Sequence, residues 1–174
     1  MYCFIYYFDA IFIAMAYNSN YNPNPKAAAK VLPIIHLALL IGQVLFCLVV
    51  YSITPQKGFS FDGSANPFVY VSLALTLGGF AAGNILFKKQ LQSITSESTL
   101  SQKIASYQTA CIIRAALLEA PSLFSIVAYM LSGNLLFLAV SCVIILYFLF
   151  IRPTKDKIVN DLGLDYNEKA ELEG

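Results

Sequence analysis

The stretch VLPIIHLALLIGQVLFCLVVYSI, residues 31–53, holds no aspartate, glutamate, lysine or arginine. A hydrocarbon core about 30 Å thick is crossed by roughly 20 apolar residues as a helix, and this run exceeds that length. Lipid offers no water to satisfy backbone amides and carbonyls, so a single apolar run of this kind reads as a transmembrane helix. Lys30 precedes it and Thr54-Pro55 ends it. Working outward, residues 67–87 form a second run. It opens on Pro67, an accepted first-turn residue, and closes on Lys88-Lys89. Residues 110–131 form a third run, interrupted by Arg114 and Glu119, and residues 135–151 a fourth, stopped by Arg152-Pro153. The expected fold is all-α: a polytopic membrane protein with four transmembrane helices in an up-down bundle.

Composition agrees with that reading. Of the 174 residues, 58% are apolar and 12% charged, with a mean hydropathy of +0.67. Soluble domains carry about twice that share of charge. A net charge of +1 is too near neutral to favour nucleic acid, so the lipid bilayer is the expected surrounding. Cys3, Cys47, Cys111 and Cys142 show no CxxC spacing and read as small apolar packing residues. With one histidine and no cysteine–histidine cluster, a transition-metal site is not expected. Walker, GxSxG and dinucleotide fingerprints are missing, which leaves no basis for expecting an enzyme or a cofactor.

Orientation follows from the lysines and arginines of the short connections. Lys26 and Lys30 precede the first run, Lys88, Lys89 and Lys103 separate the second from the third, and Arg152, Lys155 and Lys157 follow the fourth. The first-to-second connection has only Lys57, offset by Asp62, and the third-to-fourth turn has no charge. Both termini are therefore expected in the cytoplasm. Residues 1–30 read as an N-terminal extension, 31–153 as the transmembrane domain and 154–174 as a cytoplasmic polar tail. Within the extension, residues 2–17 are apolar and aromatic but contain Asp9. They also lack the basic leader and small-residue cleavage site of a signal peptide. Met15, followed by an Asn/Pro segment, is the expected start; a short hydrophobic element lying on the membrane is the alternative.

Local signals mark the helix ends. Ser132-Gly133-Asn134 reads as a tight turn making a hairpin of the third and fourth helices. Thr99 and Gln102 fit a capping box. A helix from Leu100 to Leu131 is about 48 Å long, so it must tilt or project about two turns into the cytoplasm. Asp165 and Glu168 resemble a second capping signal, for a short solvated helix at the C-terminus.

A charged residue on a helix in lipid costs about 2.5–3.5 kcal/mol and marks a candidate functional site. Arg114 and Glu119 lie about 140° apart around their helix and about 7.5 Å apart along it, so each is expected to seek a partner elsewhere. His36, Asn84, Arg114 and Glu119 fall in the cytoplasmic half, with Gln43 near the midplane, and a polar cluster of these residues joining the first three helices is geometrically feasible. Each also has a plainer reading: Arg114 snorkelling to headgroups, His36 as a satisfied interfacial histidine, Glu119 as a hydrogen-bonded packing residue. Pro121 cannot donate to the carbonyl of Leu117, so a kink or a free carbonyl is expected beside Glu119. Gly79 and Gly83 form a GxxxG that favours close packing of the second helix on the third.

Several of these stretches resemble a family. Ile34-Ile35-His36, Gly42-Gln43-Val44-Leu45-Phe46, Gly83-Asn84, Phe87-Lys88-Lys89-Gln90 and Tyr107-Gln108-Thr109 belong to the pattern. So do residues 114–124 and Arg152-Pro153-Thr154-Lys155-Asp156-Lys157. Together they resemble small four-span inner-membrane proteins of Bacteroidetes-type bacteria, over residues 27–173. The resemblance implies a bacterial inner-membrane location and brings no activity. More weakly, the glycine-bearing second helix, polar loop and Leu118-Glu119-Ala120 are similar to the proteolipid (c) subunit hairpin of rotary ATPases, where a membrane carboxylate carries the ion. Here the glycines are only Gly78, Gly79 and Gly83, and Arg114 is foreign to that hairpin. Two functions remain open. One is a structural or accessory membrane component, paired with a second copy or another membrane protein. The other is a small transporter in which Glu119 takes up a proton or cation.

Overall fold

The computed structural model describes residues 24–61, 67–94 and 98–173. Residues 1–14, the Met15 start and Cys3 lie outside the described residues. Among the described residues every regular element is a helix: α1 (Pro25–Ile53), α2 (Phe68–Gln92), α3 (Leu100–Ser132), α4 (Leu135–Phe150), α5 (Lys155–Leu162) and α6 (Tyr166–Glu173). α1, α2 and α3 are long and apolar enough to cross a membrane. α4 joins them only if counted with α5, from which it is bent by 75°.

α1 begins before its apolar run because local chemistry favours a start there. Asn24 Oδ1 accepts from the Lys26 amide at 3.1 Å, Pro25 opens the helix, and Ala27, Ala28 and Ala29 are strong helix formers. α3 is one continuous helix through Pro121. Its start is the capping box: Thr99 Oγ1 accepts from Gln102 N, and Gln102 Oε1 accepts from Thr99 N. Its end is Gly133, at φ 72°, a left-handed conformation that glycine adopts without strain.

α3 is the hub of the bundle. α2 makes the most extensive contact with it, followed by α4 and α1, while α1 and α2 touch each other little. Ala28 and Leu32 cluster with Ile104 and Tyr107, and Val50 with Ile126, so α1 and α3 run in the same direction. Ser72 pairs with Ser125 and Asn84 with Arg114, so α2 runs the opposite way, as does α4.

Apolar side chains lie on the outside as well as the inside, unlike those of a soluble domain. Ser72, Ser122, Ser125, Ser141 and Gln43 are fully buried, whereas Ile34, Leu45, Leu48, Leu77, Ile85 and Val143 face outward. The interior mixes buried hydroxyls with apolar clusters, and the exterior carries a large apolar surface. An aqueous solvent would select against such an exterior.

The two ends of the bundle are built differently. At one end the segment after α1 lies across the α3–α4 turn. Lys57 N donates to Gly133 O at 3.0 Å, and Leu135 N donates to Gly58 O at 2.9 Å. Asn134 accepts from Ser60 N and donates to Ser60 O. At the other end the polar tail folds back. Asp165 and Glu168 cap α6 reciprocally, yet the helix is not simply solvated. Leu172 and Ile158 are buried with Ala28, Ala29, Leu32, Leu100 and Ile104, and Lys103 pairs with Glu168 at 2.6 Å. The part of α3 that projects beyond its apolar run is thereby covered by α5 and α6.

Candidate functional site

α2 and α3 come together on a surface of small residues. A methyl group on Gly79 would collide with the Leu117 carbonyl and approach the Pro121 ring to 3.2 Å. Pro121 cannot donate to that same carbonyl, so α2's closest approach falls where α3 lacks one of its own amides. Gly83 faces Arg114 and Leu117 at ordinary contact distance. One turn further along α3, Ser125 Oγ donates to Pro121 O and also meets Ser72 Oγ of α2, each at 2.8 Å.

Within this frame Arg114 is reached from two helices. Its Nη2 donates to Asn84 Oδ1 of α2 at 2.7 Å and to Tyr147 Oη of α4 at 2.8 Å. Tyr147 in turn donates to Asn84 Oδ1 at 3.2 Å, and Asn84 Nδ2 is held by Phe80 O at 2.8 Å. The guanidinium carbon lies 4.8 Å from the Phe87 ring centroid, within cation–π range. Nε is buried with no partner.

His36 takes a separate partner. It stacks on Phe148 with centroids 4.1 Å apart and planes at 8°, and its Nε2 lies 2.8 Å from Phe148 O. A carbonyl only accepts, so Nε2 carries the hydrogen. His36 and Arg114 nevertheless share one cleft of about 240 Å³ with Phe87, Tyr107, Cys111, Phe150, Pro153, Lys157 and Asp161. On its tail side Lys157 Nζ donates to Phe150 O at 2.7 Å and to Arg152 O at 3.2 Å, closing the carbonyl end of α4. Tyr107 donates to Asp161 Oδ2 at 2.9 Å.

Gln43 and Glu119 sit elsewhere. Gln43 is 1% exposed, and among the described residues neither its Oε1 nor its Nε2 has a partner. α1 and α3 run parallel, and the register that brings Cys47 and Val50 to the cluster of Leu123 and Ile126 sets Gln43 level with Glu119. The antiparallel register of His36 on Phe148 sets it level with Ser141 as well, whose hydroxyl meets that of Ser122 at 2.9 Å. Glu119 is partly exposed and has no hydrogen bond or ion pair among the described residues.

Of the five polar residues singled out in the sequence, Asn84 and Arg114 thus bond directly, and His36 meets Arg114 only as another wall of one cleft. Gln43 and Glu119 form a second, deeper level. Tyr147, Phe148, Lys157 and Asp161 were not legible as partners, because each depends on the register of α4 and the fold-back of α5. Among the described residues no group of histidine, cysteine, aspartate or glutamate side chains is arranged to hold a metal ion. Comparison with protein families, curated proteins and solved structures finds no match to this chain.

Proposed function

We propose that the chain is a four-span protein of the bacterial cytoplasmic membrane, with both termini in the cytoplasm, acting as a structural or accessory membrane component. The observation that carries this reading is Arg114. Its Nη2 group is divided between Asn84 and Tyr147, so the costly charge serves as a tie between three helices. The clustering of Lys88, Lys89, Lys103, Arg152, Lys155 and Lys157 toward the end closed by α5 and α6 supports the cytoplasmic assignment. The outward apolar faces of α1, α2 and α4 suit lipid, a second copy or another membrane protein. Residues 31–153 would form the membrane domain, with residues 1–30 and 154–174 on the cytoplasmic side. The test is Arg114→Ala: a loss of thermal stability in detergent and of steady-state level in the membrane fits a structural tie, and unchanged stability does not.

A second reading is favoured by one observation: among the described residues Glu119 has no partner at the level where Gln43 has an orphaned amide. A carboxyl and an amide so placed in lipid suit uptake and release of a proton or cation. Glu119→Gln in proteoliposomes tests it. Ion flux that falls to background supports the transporter, and flux equal to the parent's rejects it.

A further inference from the structure

We infer that the cleft between Arg114 and Lys157 is a binding site for a phosphate group. Arg114 spends Nη2 on Asn84 and Tyr147 and its Nε is enclosed, which leaves Nη1 as the donor with no hydrogen bond among the described residues. Lys157 spends two of its N–H groups on the carbonyls of Phe150 and Arg152 and keeps a third. No carboxylate forms an ion pair with either cation among the described residues; the one carboxylate on the wall, Asp161, has an oxygen committed to Tyr107. Two cations with unused donors on one cleft match the several acceptor oxygens of a phosphate. The cleft's volume of about 240 Å³ is enough for a phosphate-sized group.

The surroundings extend the match. The mouth of the cleft includes Phe150, which is 77% exposed, and Leu149 and Leu146 continue that outward face along α4. A phosphate seated between Arg114 and Lys157 can therefore belong to a lipid whose acyl chains lie on α4, or to a free phosphate from the aqueous side. Only the lipid source rests on the four-span reading; the phosphate contact does not.

The experiment uses the full chain purified in uncharged detergent. Binding of inorganic phosphate and of phosphatidylglycerol is measured for the parent, Arg114→Gln, Lys157→Gln and Asp161→Asn. Removing a charged hydrogen-bond donor is expected to weaken binding about tenfold or more in the first two variants. Asp161→Asn keeps an acceptor for Tyr107 while removing the negative charge, so it is expected to tighten binding several-fold, a gain that unfolding does not mimic. Phosphatidylglycerol binding that millimolar phosphate does not displace identifies the lipid source, and equal binding of both identifies free phosphate. The inference is overturned if neither probe binds, if both charge-removing variants bind as the parent does, or if Asp161→Asn weakens binding.

Discussion

Arg114 and Asn84 are joined across the α2–α3 interface by a 2.7 Å hydrogen bond, and Tyr147 closes the triangle from α4. Glu119, the nearest acid along α3, takes no part. A double-mutant cycle of Asn84→Ala and Tyr147→Phe, read by unfolding in mixed micelles, should give a coupling above the ~0.6 kcal/mol typical of neutral intramembrane hydrogen bonds. The charged donor sets an upper value near ~3 kcal/mol. Additive losses would mean that neither the direct Tyr147–Asn84 bond nor Arg114 couples the two residues.

Gly78 and Gly79 are adjacent but differently placed. The space beside Gly78 is open, whereas a methyl on Gly79 meets the Leu117 backbone. Gly79→Ala should destabilise by about 1–3 kcal/mol, as overpacking does. Gly78→Ala should be neutral or slightly stabilising, since alanine is the better helix former by up to ~1 kcal/mol. Thermal melting of the two variants side by side checks this, and equal effects would place α2 in a different rotation.

Much of this was readable from local signals. The Thr99–Gln102 box, the Gly133 turn, the Asp165–Glu168 cap and the small face at Gly79 each involve residues close in sequence, so their geometry follows from spacing. The partners of Arg114 and His36 were not readable. α4 is apolar along nearly its whole length, so nothing distinguishes Tyr147 and Phe148 until their register against α3 and α1 is known. The tail misleads in the other direction. Its composition is polar, and Ile158 and Leu172 are too few to signal burial, yet both enter the core cluster because α3 and α1 extend past their apolar runs.

Gln43 is buried with its whole amide unpartnered. Leaving such a group in place costs about 1–3 kcal/mol, so Gln43→Leu, close in size, should stabilise or leave stability unchanged. If Gln43→Leu instead destabilises by that amount, the amide holds a partner such as water or Glu119. Equilibrium unfolding in micelles distinguishes the two.

The tail should be held by its apolar contacts and by its sheltered ion pair together. Leu172→Ala is expected to cost about 2–4 kcal/mol of local docking stability. Glu168→Gln, leaving the buried Lys103 ammonium without its charge partner, should cost about 1–3 kcal/mol. Limited proteolysis after Leu162 reports the docking: faster cleavage than the parent in both Leu172→Ala and Glu168→Gln fits the structure, and parental resistance in both does not.

The central claim, four membrane crossings with the α5–α6 end in the cytoplasm, is tested most directly by accessibility of single cysteines. With the native cysteines replaced, Lys57→Cys, Ser93→Cys and Lys155→Cys are introduced separately and exposed to a membrane-impermeant maleimide. The account predicts labelling of Lys57→Cys in intact spheroplasts, and of Ser93→Cys and Lys155→Cys only after the membrane is opened. Labelling of Lys57→Cys and Lys155→Cys from the same side would contradict it.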